Sequence, residues 1–136
     1  MEPRAHRRAA RRLVEDAAPD ILFSTAGEAE AYLGGYDPTG LLESAPLAIV
    51  KRGAGGATLL ARGEAAPLRF EVATPPLTAT DTTGAGDAFD AGFLTAFLAA
   101  PPEARGRPAT LRRAALAGHR AAARQLTTGS PELPLR

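Results

Sequence analysis

The chain has 136 residues, 45% of them hydrophobic, and its sixteen basic and fifteen acidic residues leave a net charge of +1. This length allows one domain with a modest core, and the near-neutral charge excludes a global field that would favour nucleic acid or an anionic membrane. The absence of cysteine excludes disulfides and thiolate sites, and no apolar run suits a membrane span or signal-peptide core, so we predict a soluble cytoplasmic protein.

The first part of the sequence alternates helical and extended patterns. Residues 4–18 place small apolar residues at helical spacing, with arginines on the other face. This arrangement favours a solvated amphipathic helix that ends before Pro19 over a basic arm. The next predicted elements are a short strand at 20–23, a helix from 26 or 27 to 34–35, and a helical turn at 37–43. Residues 47–51 (L-A-I-V-K) are a continuous apolar strand, typical of a parallel sheet buried on both faces.

The second part predicts a glycine turn, two strands and two helices. The turn contains Gly53, Gly55 and Gly56, and the strands at 57–61 and 68–73 are joined by a hairpin-type connection. A helix over residues 85–99 repeats phenylalanine at every fourth position, which indicates one core-facing stripe. A last helix covers about 109–126. Helices alternating with short apolar strands indicate an α/β layered fold in a single domain, residues 1–136.

Residues 81–87 (D-T-T-G-A-G-D) carry the strongest chemical signal, because they stand directly before and inside the start of a helix. Gly84 and Gly86 let main-chain amides approach a ligand, and amides in a first helical turn favour a phosphate group. Asp87 would repel such an anion. Its presence fits a base that accepts a proton from an attacking hydroxyl while the amides stabilise the transferred phosphoryl group.

The same residues also fit a purely structural role. Threonine and aspartate are common helix caps, glycines allow a turn, and an acidic residue in a first turn interacts well with the helix dipole. The residues alone leave both interpretations open.

The motif D-T-T-G-A-G-D-A-F-D-A-G-F at residues 81–93 closely resembles the C-terminal signature of the ribokinase-like (PfkB) carbohydrate kinases. Other segments from about Asp20 to Pro134 extend the resemblance. Residues 51–57 resemble the family's K-x-G-x-x-G turn, residues 20–30 its strand entering an N-x-x-E motif, and residues 128–131 its adenine-pocket loop.

The resemblance implies the C-terminal, nucleotide-binding part of a three-layer αβα ribokinase-like (Rossmann-like) fold, incomplete here because the substrate-binding and lid half is absent. It implies ATP and Mg²⁺ as cofactors, and K⁺ in some members. The implied roles are the catalytic base for Asp87, an anion hole from Gly84, Ala85 and Gly86, nucleotide contacts from Lys51, Gly53, Gly56, His119 and Gly129, magnesium organisation through water for Glu28, and a monovalent-cation site near Asp81 and Thr83.

Three departures from the family pattern bear on these roles. Thr25 stands where the N-x-x-E motif begins with asparagine, and Gly118-His119 stands where the last helix usually has Ala-Asn. His119 could border the adenine, or it could be a partly exposed helix residue without a ligand role. Family members are also considerably longer.

We therefore expect a kinase that transfers the γ-phosphate of ATP to a sugar hydroxyl, incomplete as this chain alone. The alternatives are a nucleoside kinase and a non-catalytic nucleotide-binding remnant or subunit of a split kinase. Expected partners are a small sugar or related alcohol, and a further copy or a missing N-terminal half, with no nucleic acid and no membrane.

Overall fold

The computed structural model describes residues 3–75 and 84–128. The chain divides into two compact units. The first ends at Glu71 and the second begins at Val72. Among the described residues, none of the helices combines the length and the apolar character that crossing a membrane requires.

The first unit contains two helices and a four-stranded mixed sheet. Its elements are α1 (Pro3–Ala17), β1 (Ile21–Thr25), α2 (Ala26–Leu33), a 3-10 helix (Pro38–Glu43), β2 (Leu47–Lys51), a short 3-10 turn (Gly53–Gly55), β3 (Ala57–Ala61) and β4 (Leu68–Val72), the last strand ending at the boundary between the units. The strands lie in the order β1-β2-β3-β4. β1 and β2 are parallel, whereas β2 and β3 are antiparallel. The prediction that residues 47–51 lie in a parallel sheet is therefore confirmed for the neighbour β1 and wrong for the neighbour β3.

α1 confirms the amphipathic pattern. Arg4, Arg8 and Arg12 are exposed, and Arg7 donates from Nε to the main-chain oxygen of Ala31 at 3.1 Å. The guanidinium of Arg11 lies 5.6 Å from the centre of the Tyr32 ring. The helix ends as predicted before Pro19. Two of its arginines thus attach it to α2, while the others face solvent.

The core of the first unit forms between α2, the first 3-10 helix and the sheet. Its buried members are Ala29, Leu41, Leu42, Ala48, Val50 and Leu60. Because β2 is the second of four strands and carries no charge before Lys51, four successive residues of it are buried. Burial of the leucine, isoleucine and valine side chains among them contributes on the order of 1.5–3 kcal/mol each relative to exposure.

The second unit is built on two helices, α3 (Ala85–Ala99) and α4 (Pro108–Thr128), with a 3-10 helix (Pro102–Ala104) between them. The predicted phenylalanine stripe is confirmed, since Phe89 and Phe93 are 3% and 0% exposed. On α4, Leu111, Ala114 and Ala115 are also buried, and His119 meets the Phe89 ring edge-on. The small residues on α4 let the two helices approach closely enough to bury the aromatic rings.

Candidate functional site

Helix α3 begins at a glycine rather than at a capping side chain. Gly84 occupies the N-cap position with φ 80°, in the left-handed region, and contributes no side-chain hydrogen bond. The main-chain amide of Ala88 donates to the oxygen of Gly84 at 2.9 Å, which closes the first turn. Asp87 lies exposed in that turn. The structure therefore brings Gly84, Ala85, Gly86 and Asp87 together at the positive end of the helix dipole.

A side chain at position 84 would be unfavourable for two reasons. An L-residue is strained at this φ, and a Cβ added to Gly84 would lie 3.2 Å from Nε2 of Gln125 on α4. The glycine thus permits both the turn and the approach of α4.

A second group of predicted residues meets at the carboxyl end of the two parallel strands. Thr25 at the end of β1 is in register with Lys51 at the end of β2. Glu28 lies in the first turn of α2, where its Oε1 accepts a hydrogen bond from the Thr25 amide at 2.8 Å. In return, the amide of Glu28 donates to Thr25 Oγ1 at 3.1 Å.

The Thr25 and Glu28 pair is a capping box that starts α2. Sequence reasoning treated Thr25 only as a departure from an asparagine motif and overlooked this role. The pattern T-x-x-E ahead of a helix is itself the signal that would have identified it. The pair consequently has a structural explanation that requires no metal.

The turn after Lys51 depends on glycine at two positions. Gly53 has φ 57° and Gly56 has φ 86°, and the amide of Arg52 donates to the Gly56 oxygen at 2.8 Å. Arg52 also donates from Nε to Oγ1 of the buried Thr58 at 2.9 Å. The turn is therefore held from both its main chain and the neighbouring strand.

His119 is a buried core residue rather than the partly exposed one that the sequence allowed. It is 6% exposed, and its Nε2 donates to the main-chain oxygen of Val72 at 3.0 Å. Its ring meets the ring of Phe89 edge-on, with centroids 5.1 Å apart. Burial lowers the pKa of His119 below its ordinary value of 6.5, opposed in part by the hydrogen bond to Val72. Both contacts hold the ring in the core of the second unit.

We expect the free energy of unfolding to fall as the pH is lowered from about 7 to about 5. The unfolded chain protonates His119 at its ordinary pKa of 6.5, whereas the folded chain resists protonation to a lower pH. The contribution of the neutral ring is therefore complete above 6.5 and is lost as the pH falls through and below that value. Urea denaturation at several pH values measures this slope.

One variant separates His119 from the other titrating groups. His119→Gln should flatten the slope, because it removes the group whose pKa is lowered in the folded chain. An unchanged slope in His119→Gln would show that other groups cause the acid sensitivity.

The remaining predicted residues, Asp81, Thr83 and Gly129, lie outside the described residues. Across residues 3–75 and 84–128, no three histidine, cysteine or acidic side chains group as metal ligands would. Glu28 is the one predicted magnesium residue in this range, and its Oε1 already serves the cap. The described residues therefore offer main-chain amides at the start of α3, and a carboxylate, Glu28, that already takes part in a helix cap.

Comparison with known proteins gives a consistent family. The model of the pfkB family carbohydrate kinases matches residues 2–136. The acarbose 7(IV)-phosphotransferase of an Actinoplanes strain is 41% identical over 58 residues, which cover 43% of this chain and 19% of that protein.

Two solved structures show the same fold. The adenosine kinase of Sinorhizobium meliloti matches 91% of this chain and 36% of its own, with a TM-score of 0.73 and 26% identity. The fructokinase of Vibrio cholerae, solved with fructose, ADP and a potassium ion, matches 93% of this chain and 40% of its own, with a TM-score of 0.74 and 24% identity. At that last identity, the likeness shows the fold alone. The chain thus spans well under half the length of these relatives.

Proposed function

The chain belongs to the pfkB family of carbohydrate kinases, and on this basis we propose that it serves ATP-dependent phosphoryl transfer to a hydroxyl group of a sugar. The observation that carries the proposal is the start of α3, where a left-handed glycine precedes the helix and Asp87 lies exposed in its first turn. A carboxylate beside an anion-binding turn is useful when a hydroxyl must lose its proton as it attacks a phosphate.

In the proposed reaction, the oxygen of the acceptor hydroxyl bonds to the γ-phosphorus of ATP. Asp87 accepts the proton that this hydroxyl loses. The bond from that phosphorus to the bridging oxygen of ADP breaks. The amides of Gly84, Ala85 and Gly86 stabilise the negative charge on the transferred oxygens, helped by the helix dipole. Magnesium, when bound, would neutralise phosphate charge.

Nucleotide contacts are proposed for Lys51, Gly53 and Gly56, and for Gly129. The two left-handed glycines of the Lys51 turn leave no side chain over its main chain, which supports a close approach by a ligand. Glu28 would act on magnesium through water, and Asp81 with Thr83 would lie near K⁺. We give His119 no direct contact, because its ring is occupied by Phe89 and Val72.

We also propose that the chain corresponds to the C-terminal part of its longer relatives and works with a further polypeptide. Within the described residues, β1 pairs only with β2 and forms an edge of the sheet. A largely apolar cavity of about 550 Å³ lies beside it, lined by Leu22, Phe23 and Ser24 together with residues of α1 and α2. Ser24 Oγ is buried there without a hydrogen-bond partner. An added strand would cover this edge.

Sedimentation velocity tests the open edge. We expect concentration-dependent association of the chain when no other polypeptide is supplied. A strictly monomeric species up to high concentration would argue against an exposed edge.

A nucleotide-binding role without catalysis is the second candidate. The engagement of Glu28 in the capping box favours it, because one oxygen of the proposed magnesium residue is already used. A nucleoside as acceptor is supported by the likeness to an adenosine kinase.

The proposal is tested by calorimetric titration of ATP with magnesium into wild type and Gly86→Glu. The new carboxylate would lie at the proposed anion hole, so we expect ATP affinity to fall by at least about tenfold. Gly106→Glu is the matched control, because Gly106 is exposed with open space around its Cα and should leave affinity unchanged.

Equal ATP affinity in wild type and Gly86→Glu would remove the turn from the nucleotide site. A folded wild type that does not bind ATP would contradict the proposed kinase role and the nucleotide-binding alternative together.

A further inference from the structure

The side chain of Gln125 lies directly over the glycine that begins α3. A Cβ placed on Gly84 would be 3.2 Å from Nε2, 3.6 Å from Cδ and 3.8 Å from Cγ of Gln125. The amide nitrogen of Gln125 and the two carbons behind it therefore lie close to this one residue. Gln125 lies in the last turn of α4, so it connects the end of one helix to the start of the other.

This contact falls at the one main-chain conformation on which the anion-binding turn depends. Gly84 holds φ 80° without a side-chain cap of its own. Its main-chain oxygen accepts a hydrogen bond from the amide of Ala88. This bond fixes the direction of the amides of Ala85 and Gly86. A side chain packed on Gly84 consequently restricts both the left-handed conformation and the aim of the amides of Ala85 and Gly86.

The chemistry of glutamine suits this place. Its amide is uncharged, so it adds no negative charge near a bound phosphate, and it can both donate and accept hydrogen bonds. A carboxylate of the same shape would repel the phosphate, and an aliphatic side chain would pack without polar contacts.

We propose that Gln125 is a positioning residue for the anion-binding turn. It holds Gly84 in the left-handed conformation, so that the amides of Ala85 and Gly86 face the transferred phosphoryl group. This inference rests on the proposed function. It differs from simple helix packing, because it acts on the phosphate part of the nucleotide and not on the stability of the helix pair alone.

Calorimetric titration of wild type, Gln125→Leu and Gln125→Glu with ATP and with adenosine tests the role. We expect Gln125→Leu to weaken ATP binding about fivefold and Gln125→Glu about tenfold or more, because the second variant also adds a charge. Adenosine carries no phosphate, so its affinity should change by less than about twofold.

Arg113→Gln is the control for net charge. It also makes the chain more negative by one charge, at an exposed position on α4 that lies twelve residues, or about 18 Å, along the helix from Gln125. We expect it to leave ATP affinity unchanged. Equal loss of ATP and adenosine binding in the Gln125 variants, or no loss of either, would overturn the positioning role while leaving the proposed function in place.

Hydrogen exchange without nucleotide provides an independent measurement. The peptide that begins at Gly84 should exchange faster in Gln125→Leu than in wild type, while peptides of β2 and β3 should not change. Unchanged exchange at Gly84 would overturn the positioning role, whereas a wild type without ATP affinity would overturn the proposed function and this inference with it.

Discussion

Replacing Gly118 with valine is expected to lower the free energy of unfolding of the second unit by about 3 kcal/mol. A Cβ at Gly118 would lie 2.8 Å from Cδ2 and Cε2 of Phe89 and 2.9 Å from its main-chain oxygen. The ring of Phe89 is buried and the oxygen belongs to a helix backbone, so neither can move away without disturbing the packing. Valine adds two further methyl groups to this clash.

The neighbouring residue Gly92 shows that the close contact is shared by both helices. A Cβ there would lie 2.8 Å from the main-chain oxygen of Ala117 and from Cβ of Ala121. Gly92 of α3 and Gly118 of α4 thus each face the other helix without a side chain. The helices can approach at these points only because both residues are glycine.

Urea denaturation followed by circular dichroism measures the expected loss. Gly118→Ala should cost less than Gly118→Val, and Gly106→Ala should be nearly neutral because Gly106 meets no atoms within 4 Å. A Gly118→Val chain as stable as the wild type would show that the two helices separate at little cost.

The sequence was most informative where one local pattern decided the outcome. Helix α3 has its predicted start and end because glycine precedes it and Pro101 follows it, and because its phenylalanines recur at helical spacing. The amphipathic pattern of α1 likewise predicted both the helix and its solvent-exposed face. In both segments the residues that form the element also determine its buried face.

The direction of the strands was harder to predict from the sequence. The apolar run of β2 indicates burial on both faces but contains no information on which neighbour is parallel. The glycine turn after Lys51 is short enough to join antiparallel strands, and this connection makes β3 antiparallel to β2. A tight turn is therefore better evidence of strand direction than the composition of the strand it follows.

The site was predictable only in its local parts. The start of α3 and the Lys51 turn are contiguous in sequence, so their glycines could be identified directly. The contact of Gln125 with Gly84 joins two helices, and the burial of His119 depends on Phe89 and Val72. Such long-range neighbours leave no spacing pattern in the sequence.

Replacing Asp87 with asparagine is expected to reduce phosphoryl transfer about 10³-fold, because asparagine keeps the shape of the side chain but cannot accept the hydroxyl proton. ATP affinity should stay the same or rise severalfold, since a negative charge beside the phosphates is removed. This opposite behaviour of turnover and binding is specific to a base placed next to an anion site. Replacing a residue that only stabilises the start of α3 would change the free energy of unfolding, and would leave the ratio of turnover to ATP affinity unaltered.

The measurement combines two assays. With the N-terminal part of a longer relative supplied as the further polypeptide, the first follows transfer of labelled γ-phosphate from ATP to fructose or adenosine. The second is calorimetric titration of ATP. Glu103→Gln is the matched control, because it removes one exposed carboxylate from the 3-10 helix between α3 and α4. A variant that retained more than about a tenth of the wild-type rate would exclude Asp87 as the base. Weaker ATP binding in Asp87→Asn would separately contradict direct repulsion between this carboxylate and the phosphates.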